Sequence, residues 1–315
     1  MKKYITVLCV FSLILFIGCK NQTKKDKDTH QQINETSTII QEFPYPQIPI
    51  MVTKEDDRGK YLTDHYWDNI NFNDTLQKYD TDLIEQCWVN YIDLVNTFGK
   101  DKYKESFKNL FVRLDSGTTT YFKQFTDLAD KYLYFANSPL RNDLFYIPIC
   151  EAIIEGNQLS KIEKERYKFI YNVIQKNNIG DFSEDFYFRS STGDKLNMHS
   201  IKSDIALLFF TNPGCNICTQ TIELIRENNL IKSLEKSGKL KVIAICPDED
   251  IQLWKEHLKD YPSTWIKGYD ESQKITDDHL YDLRAIPSLY LLDKNKKVIL
   301  KDKPIDIILQ TLEQM

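Results

Sequence analysis

Between residues 80 and 175 apolar side chains recur every three or four positions. Leu83, Ile84, Cys87, Trp88, Tyr91, Ile92 and Val95 form one wide apolar face, the pattern of a helix packed along one side. Phe107, Leu110 and Phe111 resume the period after a break at Gly99, and Phe122, Phe125, Leu128, Tyr132 and Leu133 extend it. Ser138-Pro139 places a cap residue ahead of a proline in a first helical turn, and Pro148 is expected to kink or end the helix that follows. Ser160-x-x-Glu163 reads as a capping box opening a helix with Ile162, Tyr167, Ile170, Val173 and Ile174 turned inward. The segment Phe43 to Ile50, with three prolines, reads as an extended lead-in. Together these features predict an all-α region over residues 46–178.

The period changes near Gly180. Phe186-Tyr187-Phe188, a polar turn from Ser190 to Asp194, and Leu196 read as a short hairpin. Ile205 to Phe210 is a continuous apolar run, as expected of a central strand buried on both faces. Leu240 to Ile245, Ser288 to Leu292 and the short Val298 to Leu300 read as further strands. Ile251 to Leu258 and Ile305 to Leu312 read as helices. Strands alternating with helices over about 135 residues predict an α/β layered domain with a central mixed sheet at 179–315, and a two-domain α+β chain overall.

The chain opens differently. Lys2 and Lys3 precede fourteen almost wholly apolar residues, Tyr4 to Ile17, that stop at Gly18-Cys19. A membrane span needs roughly 20 apolar residues, so this run suits a signal peptide. Its ending, Phe16-Ile17-Gly18-Cys19, resembles a lipobox, with Phe16 where Leu is usual. The resemblance implies a signal peptide at 1–18 and Cys19 as the lipid-bearing first residue of a lipoprotein. An uncleaved N-terminal anchor is the alternative, and either puts the body outside the cytoplasm. Residues 19–45 are polar and aperiodic, a tether reaching about 25–30 Å as a coil. Surface-exported lipoproteins of some Gram-negative bacteria resemble one another in an acidic run after the lipidated Cys. Its absence here implies a periplasm-facing cell-envelope protein, on the outer or inner membrane.

Composition narrows the classes. With 42% hydrophobic residues, ten Gly and ten Pro in 315 residues, the chain is neither disordered nor collagen-like. A net charge of -5 and the lack of a basic stripe give no footprint for nucleic acid. A mean hydropathy of -0.45 excludes a polytopic membrane protein. Seven cysteines are too few for a disulfide framework, so their positions matter more than their number.

Two of them carry the chemistry. Cys215-Asn216-Ile217-Cys218 follows a predicted strand and opens a predicted helix. A thiol at a helix N-terminus meets free backbone N–H groups and the positive end of the dipole, which stabilise a thiolate. A second thiol almost one turn later can attack the resulting mixed disulfide. No second Cys pair or His pair follows at zinc spacing, so neither metal nor cofactor is expected; a passive structural disulfide stays open. Cys87 and Cys150 read as a pair or as two small buried hydrophobes, and Cys246 as a third redox thiol or a buried strand-end residue. His65, His199, His257 and His279 stand alone, and Asp277, Asp278 and Asp282 read as a solvated face.

The second mark is Arg284-Ala285-Ile286-Pro287-Ser288, a proline at the entry to an internal strand, unusual unless its peptide bond is cis. Gly180-Asp181-Phe182, Phe186, the strand before the Cys pair, the pair itself and Ile286-Pro287 resemble, in that order, the TlpA/ResA-like branch of the thioredoxin superfamily. Trp67 to Asp74 and Asn137 to Pro148 resemble a helical domain of unknown function that precedes thioredoxin domains in Gram-negative lipoproteins. The resemblance implies Cys215 as nucleophile and Cys218 as resolving thiol. It also implies that Pro287 sits beside the sulfurs, with backbone near Ile286 pairing to a substrate strand. Three departures stand against it: Gly214 where the family has Trp, Phe209 where thioredoxins bury an acid, and Thr221 where the branch carries Glu.

The reading is a lipid-anchored periplasmic thiol–disulfide oxidoreductase. Its partners would be protein thiol or disulfide substrates, an unidentified redox protein, and the membrane through the N-terminal lipid. The alternative is a lipoprotein binding or scaffold module whose disulfide is structural. Copper handling, which uses a three-residue gap between cysteines and a distant His, fits the spacing less well.

Overall fold

The structure, a computed structural model, describes residues 38–75, 77–248 and 250–315. The signal segment, Cys19 and the tether through residue 37 lie outside the described residues.

Side-chain caps and apolar stripes build the first half. Strand β1 (Thr38–Ile40) precedes helix α1 (Glu55–His65) and pairs in parallel with β2 (Gln77–Tyr79). Helix α2 (Thr81–Phe98) begins where the Asp80 carboxylate accepts from the N–H groups of Asp82 and Leu83, and Gly99 ends it. Then follow α3 (Tyr103–Asp115) and α4 (Thr119–Ala129), which runs into one π-helical turn at Asp130–Tyr134, and α5 (Asp143–Glu155) and α6 (Lys161–Ile174) complete the set. The inward stripes meet in one aromatic-rich core around Trp88, Tyr66, Trp67, Phe107 and Phe125.

Four expectations change here, and one of the two outcomes expected at Pro148 is excluded. The region is helical but not all-α, because β1 and β2 form a small sheet within it. Thr38–Ile40 and the buried Phe43, assigned to the tether, belong to the folded body: the strand satisfies its backbone on β2, and Phe43 packs on Tyr66 and Trp67. Ser138-Pro139 forms a turn, with Ser138 Oγ bonded to Tyr132 O; the cap of α5 is Asn142, whose Oδ1 accepts from Leu144 and Phe145 N–H. Pro148 neither ends α5 nor breaks its span. The carbonyl that loses its donor belongs to Leu144, in the first turn of α5. Ile162 points outward at 85% exposure; it lies eight residues before the buried Ile170, about 80° round the helix.

The second half is a seven-stranded mixed sheet. Hairpin β3 (Tyr187–Ser190) and β4 (Lys195–Asn197) leads to the central β5 (Ile205–Phe210). Helices α7 (Asn216–Glu227) and α8 (Asn229–Lys236) connect to β6 (Leu240–Cys246), and α9 (Ile251–Glu256) to β7 (Ile266–Tyr269). Then come α10 (Lys274–Asp277), β8 (Ser288–Asp293), β9 (Val298–Leu300) and α11 (Ile305–Gln314). The strand order is β4-β3-β7-β6-β5-β8-β9, with β5 parallel to β6 and antiparallel to β8. The pleat of β5 divides two cores. Leu207 and Phe209 pack with Cys218, Ile222, Ile308 and Leu312; Ala206, Leu208 and Phe210 pack with Phe186, Tyr281 and Tyr290.

Candidate functional site

Strand β5 delivers the chain to a turn, and the turn delivers it to α7. Gly214 adopts φ +71°, a left-handed conformation that costs glycine little. Cys215 then serves as the N-cap of α7: the Cys218 N–H donates to Cys215 Sγ at 3.1 Å, and the Thr219 N–H donates to Cys215 O at 3.0 Å. Sulfur here takes the place that Ser or Asp takes in an ordinary cap, facing N–H groups with no helical partner.

Cys215 and Cys218 form a disulfide with their Cα atoms 5.2 Å apart. The bridge is asymmetric. Cys215 is half-buried at the surface, whereas Cys218 is 1% exposed and packs into the core under α7. Across the turn the Ile286–Pro287 peptide is cis, and Ile286 O lies 3.9 Å from Cys215 Sγ. The structure therefore brings together Cys215, Cys218 and Ile286, with Pro287 next in the chain; Cys19 lies outside the described residues.

The other thiols among the described residues are closed off. Cys246 ends β6 fully buried, 4.0 Å from Asn212 Oδ1, and burial pushes its thiol up to about 11. Cys87 and Cys150 are free, buried thiols within the helical core, both pushed up by burial. They do not pair. Positions 209 and 221 hold Phe and Thr, so neither sets a carboxylate beside Cys218. Thr221 Oγ1 donates to Ile217 O at 2.9 Å, while Glu223 pairs with Arg226 on the exposed face.

One group of residues escaped the sequence reading. Asp282, expected on a solvated face, is 5% exposed and lies 2.8 Å from the Arg284 guanidinium. The same guanidinium donates to Asp143 Oδ1 at 2.7 Å and to Tyr134 O at 2.6 Å, both in the helical half. Lys301 reaches Asp143 Oδ2 at 3.0 Å, and Arg141 reaches Asp302 Oδ2 at 2.9 Å. Burial pushes Asp282 and Asp302 up. Asp143, buried as well, is held below the usual carboxylate range because Lys301 and Arg284 outweigh its desolvation. No periodicity announces such a cluster, since its members come from four separate segments.

A strand–CxxC–helix turn facing a cis-proline loop on a mixed sheet defines a thioredoxin-like domain. Residues 203–298 match the family described as thioredoxin-like, and residues 18–177 match the family described as a domain of unknown function, DUF5106. The second match spans just over half of the chain, which belongs to that DUF5106 family and carries a thioredoxin-like domain behind it. A thioredoxin-like protein from Bacteroides caccae, solved at 1.90 Å, is 40% identical; the match covers 87% of this chain and 99% of that one, with a TM-score of 0.83. The C-terminal domain of an uncharacterized protein from Bacteroides fragilis is also 40% identical, covering 44% of this chain and 98% of that one, with a TM-score of 0.43. Bos taurus nucleoredoxin is 21% identical over 119 residues, 38% of this chain and 27% of that protein. This chain thus matches only about a quarter of nucleoredoxin's length.

Proposed function

We propose that the chain is a thiol–disulfide oxidoreductase working through Cys215 and Cys218. The observation that carries this is the asymmetric disulfide at the start of α7, its outer sulfur within reach of solvent and its inner sulfur in the core. In the reduced protein the Cys215 thiolate attacks a substrate disulfide. One S–S bond breaks and another forms, and the first substrate sulfur leaves as a thiolate. Cys218, deprotonated, then attacks Cys215 Sγ, closing the protein disulfide and releasing the second substrate thiolate. The substrate gains two electrons and takes up two protons. A protein dithiol must restore the reduced pair; run in reverse, the same steps oxidise a dithiol. The backbone of the half-buried Ile286, beside Cys215, supplies a polar edge for an extended substrate segment.

The setting we propose is the periplasmic side of a membrane, with Cys19 carrying the lipid and residues before the folded body acting as tether. The support is the signal-like N-terminus. Incorporation of labelled palmitate, lost in Cys19→Ala, would test it.

The lack of a carboxylate at positions 209 and 221 favours a second reading, a binding module with a passive disulfide. One experiment separates the two: the Cys215 pKa from pH-dependent alkylation of Cys218→Ser, and the reduction potential from glutathione equilibration of the full chain. A pKa well below ~8.5 and a potential between roughly -120 and -270 mV mark an exchange catalyst. An unreactive thiol, or a potential below about -300 mV, marks a structural bridge.

A further inference from the structure

The loop that carries Ile286 is held by the helical half of the chain, directly at its upstream end and through Asp302 at its downstream end. Upstream, Arg284 sits two residues before Ile286 with its side chain 11% exposed. Its two terminal nitrogens serve Tyr134 O and Asp143 Oδ1, and its guanidinium stacks 4.2 Å over the Tyr134 ring. Asp143 stands at the first turn of α5 and is 12% exposed. Lys301 completes its coordination and also donates to Ile174 O at 2.6 Å, at the end of α6. Downstream, Ser288 follows Pro287 directly, and its hydroxyl donates to Asp302 Oδ1 at 2.8 Å. Asp302 in turn pairs with Arg141 at 2.9 Å. Charges this deeply buried hold one geometry, because a lost partner leaves an ion without solvent.

We propose that the helical half is a clamp for the substrate-docking loop, and that Arg284 and Asp143 are its positioning residues. They set the place of the Ile286 carbonyl opposite Cys215 and touch neither sulfur. This rests on the oxidoreductase reading for its consequence, weaker docking of an extended disulfide-bearing segment, but the clamp itself is a property of the folded chain. Arginine is required because one planar fork must satisfy a carbonyl, a carboxylate and an aromatic face at once. Lysine keeps the charge and loses that geometry.

The test compares the full wild-type chain with Asp143→Asn and Arg284→Lys by two readouts. Hydrogen exchange of the 283–288 segment in the oxidised protein reads the clamp without needing turnover. Kinetics with a disulfide-containing peptide and with the small disulfide DTNB read its consequence. We expect exchange at 283–288 to rise about tenfold or more in both variants while β5, β6 and α7 change less than about twofold. The peptide KM should rise about five- to twentyfold with kcat little changed, and the DTNB rate should stay within about twofold. Unchanged exchange at 283–288, a rise spread over the whole sheet, or equal loss on both substrates overturns the clamp. If Asp143→Asn does not melt cooperatively, Arg284→Lys decides. A wild-type chain inactive on both substrates sinks the oxidoreductase reading, while the exchange contrast still decides the clamp.

Discussion

The helical half and the thioredoxin-like half bury cysteines in the same way, yet among the described residues only the second exposes a sulfur. Cys87 and Cys150 sit on helix interiors among aromatic neighbours, and burial pushes both thiols up. Cys246 belongs to the other half and ends the strand beside β5, but shares that fate. Position at a strand end is therefore not what sets Cys215 apart. The difference is the helix that begins at Cys215, whose Cys218 N–H donates to its sulfur, together with the turn through Gly214 that leaves that sulfur at the surface. A cysteine becomes a reagent when backbone donors and solvent access coincide, and elsewhere it is a small hydrophobe.

The largest expected effect attacks that contrast directly. Cys215→Ser should lower peptide-disulfide exchange by about a thousandfold or more, since a hydroxyl cannot supply the thiolate. Cys218→Ser should leave the first attack intact and accumulate a covalent adduct on Cys215, visible as the mass of the bound peptide. Cys87→Ala, Cys150→Ala and Cys246→Ala should each stay within about twofold, because their thiols are out of reach. Activity surviving in Cys215→Ser, or lost in any of the three buried variants, would break the distinction.

Much of this was legible because local rules and tertiary demands agree. The apolar run at 205–210 became the central strand, the Ser160–Glu163 box capped α6, and the alternating elements gave a mixed sheet. Where the two conflict, the sequence misleads. Ser138-Pro139 carries a cap pattern locally, yet the residue that caps α5 is Asn142, four positions later. β7 reads Ile-Lys-Gly-Tyr, with no apolar run; its glycine lets Phe188 of the neighbouring strand come close, a requirement set by a chain segment 80 residues away. β1 is three residues long and exists only because β2 offers an edge. The Arg284 cluster was hidden for the same reason: each charged residue looks like surface until the partners that neutralise it are brought together. The spacing of the Cys pair, in contrast, is local chemistry, and local chemistry is what a sequence displays.

A smaller effect sharpens the contrast within the second half. Cys246 titrates at about 11 against an ordinary 9.0, through burial only partly offset by a hydrogen bond from the Asp248 backbone. A thiol whose pKa is raised by folding contributes stability that is complete below pH 9 and lost as pH climbs through 11. At about 1.4 kcal/mol per pH unit the loss approaches 2–3 kcal/mol. Urea unfolding should be followed from pH 8 to 11 in a Cys215→Ser/Cys218→Ser background, where no disulfide is available for exchange. Adding Cys246→Ala should cost about 1 kcal/mol at pH 8 and should close or reverse that gap by pH 11. A gap constant with pH would mean that the site is wetter than its burial indicates.

The smallest effect concerns the inner sulfur, and it asks whether the asymmetric bridge is well equipped on both sides. Cys215 has the Cys218 N–H and the start of α7 to stabilise its charge, while Cys218 packs into the apolar core beneath α7. Its proton must leave before it can close the bridge, and the side chain one turn later is Thr221, whose hydroxyl is committed to Ile217 O. A carboxylate at that position would lie on the same helical face. Burial would raise its pKa toward that of the thiol, which makes it a better base. Thr221→Glu should therefore speed collapse of a preformed Cys215–peptide mixed disulfide by about three- to tenfold, followed by acid quench and mass spectrometry. It should also cost about 1–2 kcal/mol of stability for the buried acid. Thr221→Gln, equal in shape and unable to take a proton, is the control. If the glutamine variant gains as much as the glutamate, shape and not proton transfer limits the step. If neither gains, Cys218 already loses its proton by a route through water, and the inner sulfur is less enclosed in the mixed disulfide than in the closed bridge.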